Sequence, residues 1–256
     1  MSDTIDAASQ PAAKLDEAAA AQASARNLHI PAGDYVRLAQ GFYFVFWGLL
    51  VTVLMGAQLL ILSDIELFAE LFLGLGVLAT AIGTWRLYQV RSPGKPWHSR
   101  MRLTLALAGL MGYFCLFVYL WRRAPDSVYL LANVFAFAGA GILYIITFNW
   151  SIAVLAGALG RKDIALESRV FGTVNIGVLL LPFAGVIAYE VASAVLRRGH
   201  LLSEMRFVLS RANLVVLVIL LLPFSLTLSL AWSCKDAVLR QLSNLDHPDR
   251  YGIDTQ

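Results

Sequence analysis

Six long apolar runs alternate with short polar connections along the chain. By residue number they are 41–62, 67–85, 103–121, 127–150, 170–195 and 207–233. Each run holds enough residues to cross about 30 Å of hydrocarbon as an α-helix, which rises ~1.5 Å per residue. The pattern therefore predicts an all-α, polytopic integral membrane protein, a bundle of about six transmembrane helices.

The fourth run is the hardest to delimit, because apolar residues continue through the stretch SIAVLAGALG as far as Gly160. This extension is too short to add a turn and a second crossing. It predicts either one long tilted helix or a span with an interfacial extension. The stretch LGRKDIALESR that overlaps its end has the composition of a short surface helix.

Polar segments flank the six runs at both ends of the chain. Residues 1–40 start with an alanine-rich tail without an apolar core, which predicts a disordered or interfacial cytoplasmic segment rather than a secretory signal. Residues 41–233 form the predicted membrane domain. Residues 234–256 form a predicted cytoplasmic C-terminal tail.

Composition indicates that lipid, not water, surrounds most of the chain. Hydrophobic residues make up 59% of the 256 positions and charged residues only 14%, whereas soluble domains carry about 25% charged residues. The four histidines lie outside the apolar runs, and the chain has no HExxH, CxxC or phosphate-loop motif. Haem, zinc and nucleotide chemistry therefore lack their usual ligands, and we expect no cofactor, metal or catalytic site.

Lysine and arginine residues are unevenly divided between the two sets of connections. With six spans, fourteen of the 20 fall on the side that carries both termini, and five fall on the opposite side. Cytoplasmic connections carry such an excess, so both termini are predicted to be cytoplasmic. The lean architecture favours a bacterial cytoplasmic (inner) membrane. The net charge of +3 is explained by topology and predicts no nucleic-acid partner.

The connection between the second and third runs is the most basic part of the predicted cytoplasmic face. Its cations are Arg86, Arg91, Lys95, Arg100 and Arg102. Each cation close to an anionic membrane surface contributes about 1 kcal/mol of attraction. These five side chains are therefore candidate contacts for anionic lipid, and the alternative is solvated charge that only sets topology.

Three ionisable residues, Glu70, Glu190 and Arg211, lie inside apolar runs. Such residues are costly in lipid and often functional. In the predicted topology all three lie within about two turns of the outer interface, beside Arg122 and Arg123. One hypothesis is an ion-paired cluster that binds a ligand, an ion or a proton. The other is that the side chains pair structurally or extend to the outer headgroups.

The sequence LLLPF occurs twice, and places Pro182 in the fifth run and Pro223 in the sixth. A proline inside a helix removes one backbone hydrogen bond and clashes with the carbonyl four residues earlier, which predicts two kinks at similar depth. Kinked helices near the membrane centre sometimes line a solute path. Prolines are also common in transmembrane helices as simple packing kinks.

Small and amide residues indicate how the helices associate. Lipid offers no hydrophobic drive for association, so close packing and interhelical hydrogen bonds must supply it. Small residues four apart occur as Ala79 with Gly83, Ala136 with Ala140, and Ala153 with Gly157. Candidates for interhelical hydrogen bonds are Asn133, Thr147, Asn149, Asn175 and Asn213. The small residues fit packing within the chain or docking onto a partner.

Few polar residues inside the spans and no redox ligands favour a non-enzymatic integral membrane scaffold or accessory subunit of a larger membrane complex. Its expected partners are membrane lipids and either other integral membrane proteins or further copies of itself. The alternative is a small transporter or channel that uses the two proline-containing helices and the three ionisable residues.

Overall fold

Helices account for nearly all of the chain that the structure covers. The computed structural model describes residues 30–61, 66–124, 127–195 and 214–246, and within these ranges it has no β-strand. The helices α1 to α7 are Ala32–Ile61, Glu66–Gln89, Lys95–Arg123, Val128–Ala158, Lys162–Asn175, Leu181–Val195 and Leu214–Asp246. A five-residue π-helix, Ile176–Leu180, joins α5 to α6 and is called the π segment below. The predicted all-α fold is confirmed.

Five stretches of helix within the described ranges are long and apolar enough to cross a membrane. They are Ala32–Gly56, Ala69–Gln89, Lys95–Arg123, Val128–Ala158 and Lys162–Tyr189. Several such helices in one chain indicate a multi-pass membrane protein. The predicted sixth span, 207–233, lies partly outside the described residues, so the count of six stays a prediction.

Several helices extend beyond the apolar runs that predicted them. α1 begins at Ala32, within the expected interfacial segment, directly after Pro31. α3 begins at Lys95 and has Pro96 in its first turn. Proline is well tolerated there, because it lacks only an N–H that the first turn of a helix leaves unpaired anyway. α7 continues to Asp246. Hydropathy misses these turns because helices can leave the hydrocarbon before they end.

α4 is one uninterrupted helix of 31 residues. It ends where Gly160 adopts a φ of +74°, a conformation that glycine tolerates far better than other residues. The N–H of Gly160 donates to the carbonyl of Gly157 at 3.1 Å, and the N–H of Arg161 donates to that of Ala156 at 2.8 Å, which is a Schellman motif. The expected surface helix after this turn is instead the start of α5, which runs through the π segment into α6.

The helices contact one another largely in chain order. α1 packs on α2, α2 on α3, α3 on α4, α4 on α5, and α5 on α7; α7 then returns to pack against α1. α4 also touches α7 across this closed arrangement. The second half of α4 is therefore the most enclosed part of the bundle, and most of its residues from Tyr144 to Ala156 are buried.

Glycines bring α1 and α2 into backbone contact. Gly41 and Gly48 on α1 face Gly83 and Gly76 on α2. A Cβ atom added to Gly48 would lie 2.8 Å from the carbonyl oxygen of Gly76, and one added to Gly83 would lie 2.7 Å from that of Gly41. Side chains larger than hydrogen would therefore hold the two helices apart. Gly83 thus serves packing within the chain, one of the two uses its spacing allowed.

Aromatic side chains from α1 and α4 fill the centre of the bundle. Phe42 and Phe148 have ring centroids 6.1 Å apart, and Tyr144 stacks on Phe148 at 5.7 Å. The hydroxyl of Tyr144 lies 2.8 Å from that of Thr84 on α2, which satisfies a polar group that is fully buried. This contact ties three helices together around one aromatic core.

The start of α1 and the end of α7 meet at the same end of the bundle. The Tyr35 hydroxyl donates to Oε1 of Gln241 at 2.8 Å, and Nε2 of Gln241 reaches the carbonyl of Leu159 at 3.5 Å. This end also holds the basic turn between α2 and α3, and is called the basic end below. The side of the membrane that it faces stays a prediction.

Candidate functional site

A cluster of buried polar side chains joins α4, α5 and α7 inside the bundle. Nδ2 of Asn149 donates to Oγ1 of Thr227 at 3.0 Å, and Nδ2 of Asn175 approaches the same oxygen at 3.4 Å. Thr227 in turn donates to the carbonyl of Pro223 at 3.0 Å, and the hydroxyl of Ser168 donates to the carbonyl of Asn149. The four side chains other than proline are fully buried. They are called the amide cluster below.

Two oxygens of the amide cluster are left without a donor. Oδ1 of Asn149 and Oδ1 of Asn175 are both buried and have no hydrogen-bond partner among the described residues. A buried polar atom without a partner costs about 1–3 kcal/mol. The cluster therefore retains the capacity to accept hydrogen bonds or to coordinate a small cation.

Both prolines of the LLLPF repeats lie close to this cluster in the chain, but in different surroundings. The π segment ends at Leu180, two residues before Pro182, and the N–H of Leu181 bonds to the carbonyl of Ile176, five residues back. Such a widened turn accommodates the carbonyl with which a proline would collide. Pro182 is exposed on the outer surface, whereas Pro223 is buried within α7, one turn before Thr227.

Glu70 forms an ion pair with Arg122, one of the two arginines expected beside it. Its Oε1 lies 3.3 Å from Nη1 of Arg122, and both side chains are mostly buried. The pair joins α2 to the end of α3, far along the chain from Arg211. The Glu190 side chain and Arg211 lie outside the described residues, so their grouping with Glu70 stays a prediction.

The five predicted lipid-contact cations have different surroundings, and their contact with lipid stays a prediction. Arg86 lies on α2, where its guanidinium donates to the Gln40 side chain of α1. Arg100 donates from Nη1 to the carbonyl of Trp150 at 2.8 Å. Lys95 and Arg102 are exposed in the first turns of α3.

The remaining cation, Arg91, belongs to a recess at the basic end. This recess has a volume of about 610 Å³ and is also lined by Asp34, Arg37 and Trp85. His98 stacks on Tyr88 beside it, with ring centroids 4.3 Å apart. Opposite charges thus meet in this recess, whereas Arg86 faces a different surface.

Sequence reasoning identified the amides of the cluster but missed its hydroxyl groups. Interhelical hydrogen bonding was predicted for Asn149 and Asn175 and is confirmed. Thr227 was overlooked because a hydroxyl inside an apolar run usually bonds to its own helix. Ser168 was overlooked because it lies in the polar connection between the fourth and fifth runs. One signal was available: Thr227 follows Pro223 by four residues, the spacing at which a threonine hydroxyl reaches a helix carbonyl.

The interhelical hydrogen bonds predicted for Asn133 and Thr147 do not form among the described residues. Asn133 and Thr147 bond to carbonyls of their own helix, and Asn213 lies outside the described residues. Within the described ranges no three His, Cys, Asp or Glu side chains come close enough to hold a metal ion.

Comparison with protein-family models, curated proteins and solved structures finds no match, so function has to be inferred from the residues of this chain.

Proposed function

We propose that the chain is a non-enzymatic integral membrane scaffold, or an accessory subunit of a larger membrane complex, in a bacterial cytoplasmic membrane with both termini in the cytoplasm. The observation that carries this proposal is the sparse packing of the helix containing α5 and α6. In the candidate span Lys162–Tyr189 only 17% of the most apolar window is buried, against 28–39% in the other four. Within the described part of the chain this helix has a large unburied surface, which is available for a partner.

The outward surface of α6 has the residues that close helix packing needs. Ala184, Ala188 and Ala192 recur every four residues and are all exposed. Small residues at this spacing let a second helix approach closely in lipid. Among the described elements, the π segment is the only one that packs extensively on α6, beside an aromatic contact of Phe183 with Phe135 on α4 at 6.2 Å.

Site-specific photo-crosslinking in intact membranes tests this proposal. A photoreactive residue at Ala188 is expected to trap one protein partner in high yield. The control is the same residue at Leu116 on α3, which is 67% exposed and is expected to react with lipid only. A product of twice the chain mass would identify self-association.

A second substitution separates specific docking from random collision. Ala184→Leu adds bulk to the alanine face one turn from the probe, and is expected to abolish the crosslink at position 188. A crosslink that survives this substitution, or that forms equally at Leu116, contradicts the scaffold proposal.

The amide cluster favours a second candidate function, a small transporter or channel. Its two unpaired oxygens lie between α4, α5 and α7, next to the π segment and the buried Pro223. In this alternative, Glu70 and Glu190 belong to an outward-facing polar pocket. Vesicles that contain the purified chain and a trapped pH dye would show a proton flux that Glu70→Gln with Glu190→Gln abolishes. A flux equal to that of empty vesicles, or unchanged by the substitutions, counts against transport.

A further inference from the structure

A groove with a basic mouth runs between α1, α2 and α7 at the basic end. Its volume is about 510 Å³, and α1 forms its floor through Gln40, Tyr43 and Phe44. Arg86 of α2 lines one side, and Lys235 with Leu239 of α7 lines the other. The fold thus brings together two cations that are far apart in the sequence.

Both cations contact aromatic side chains, and Lys235 also lies near one carboxylate. Arg86 donates to the Gln40 amide, and its guanidinium carbon lies 5.6 Å from the centroid of the Phe44 ring. Nζ of Lys235 lies 3.0 Å from the centroid of the Trp232 ring. The carboxylate of Asp236 is 3.6 Å from the same Nζ, but this side chain is 45% exposed and does not line the groove. Two cations line the mouth and one carboxylate lies beside it, which leaves a net positive charge for an anion.

An apolar strip continues from the mouth towards the other end of α1. Tyr43, Trp47 and Leu54 are all exposed on the outer surface of this helix. Phe46 reinforces the strip from the side, with its ring centroid 5.1 Å from that of Trp232. From Tyr43 to Leu54 the strip is about 16 Å long at ~1.5 Å per residue, close to half of the ~30 Å hydrocarbon thickness.

We propose that this groove binds one anionic phospholipid, independently of the scaffold or transport role. Its phosphodiester lies between Arg86 and Lys235, and an acyl chain lies along Tyr43, Trp47 and Leu54. Basic pockets between membrane helices bind anionic headgroups, and Trp and Tyr prefer the headgroup level. The amide of Gln40 supplies a hydrogen-bond donor for a phosphate oxygen. A soluble phosphate ester would use the mouth but leave the apolar strip uncovered.

Lipid-dependent thermal stability of the detergent-purified full chain tests this inference. Added phosphatidylglycerol is expected to raise the melting temperature, and phosphatidylcholine is expected to raise it much less. Native mass spectrometry of the same samples should retain one tightly bound phosphatidylglycerol. Arg86→Gln with Lys235→Gln is expected to weaken phosphatidylglycerol binding by about tenfold or more, because both headgroup cations are lost.

A matched variant removes the same charge elsewhere. Lys162→Gln with Arg169→Gln neutralises two exposed cations of α5 and is expected to keep the phosphatidylglycerol shift. Leu239→Trp leaves all charges intact and fills the groove, so it is expected to lose the bound lipid even if the charge variant folds poorly.

Three results would overturn the proposal. An equal loss of the shift in the α5 variant would mean that only diffuse surface charge matters. The same shift with inorganic phosphate would mean a soluble anion site, and the same shift with phosphatidylcholine would mean no selectivity for anionic lipid.

Discussion

Replacing Gly48 by alanine tests whether the backbone contact between α1 and α2 stabilises the bundle. The new Cβ would lie 2.5 Å from the backbone nitrogen of Thr80 and 2.8 Å from the carbonyl oxygen of Gly76. Ordinary van der Waals contact begins at 3.4 Å. The obstacle is backbone, so the two helices have to separate by about 0.9 Å in a tightly packed interface.

The expected cost combines two opposing effects. Overpacking of a well-packed interface destabilises a protein by about 1–3 kcal/mol. Alanine offsets up to about 1 kcal/mol of this, because it forms helices more readily than glycine. With this full offset the net loss is up to about 2 kcal/mol, which corresponds to a melting temperature lower by up to roughly 4–8 °C in a chain of this size.

The matched control is Gly56→Ala on the same helix, where no described residue lies within 4 Å of the added Cβ. This variant gains helix propensity without a clash, so its melting temperature should equal or exceed that of the unmodified chain. Melting is followed by the fraction of detergent-solubilised protein that stays monodisperse on size-exclusion chromatography after heating. If Gly48→Ala has the same melting temperature as Gly56→Ala, the close approach of the two helices is refuted.

Three further experiments probe the interior. Thr227→Val removes the shared acceptor of two buried amides and should destabilise the chain by about 1–3 kcal/mol. The control Ser225→Ala, at an exposed position of the same helix, should leave the melting temperature within about 1 °C. Equal effects of the two substitutions would contradict the shared hydrogen bond. Glu70→Leu should lower the free energy of unfolding by about 1 kcal/mol, because a mostly buried ion pair is lost. Glu70→Gln should lower it by less. Equal stability of the two variants would argue against the ion pair. Cys234 is fully buried and should resist maleimide in the folded chain but react in denaturant, as mass spectrometry of the modified peptide would detect.

The overall class of the fold could be predicted from the sequence because one force dominates it. Long apolar runs have to satisfy their backbone internally in lipid, and the helix is the only single-segment solution. The ends of the helices could not be located in the same way. α1 and α3 begin with polar turns whose helical state depends on Pro31 and Pro96 rather than on hydropathy.

The contacts between helices were predictable only for residue types that have one main role inside a membrane, such as asparagine in interhelical hydrogen bonds. Asn149 and Asn175 inside apolar runs had to find partners, and the structure supplies one in Thr227. The pairing of Glu70 with Arg122 depends on which helices are neighbours. Helix neighbours are decided by side-chain shape and glycine placement, which a pattern of hydropathy does not encode.

The contact order of the bundle has a consequence for biosynthesis. α1 and α2 are separated by only a few residues, and their glycine contact needs nothing that is translated later. The nascent chain can therefore insert this hairpin as a finished unit while the ribosome is still making α3. α7 is different, because it packs on α1 and α5. The Tyr35 hydroxyl can form its hydrogen bond only once Gln241, more than 200 residues further along the chain, has been made. The bundle can therefore close only after α7 has been made.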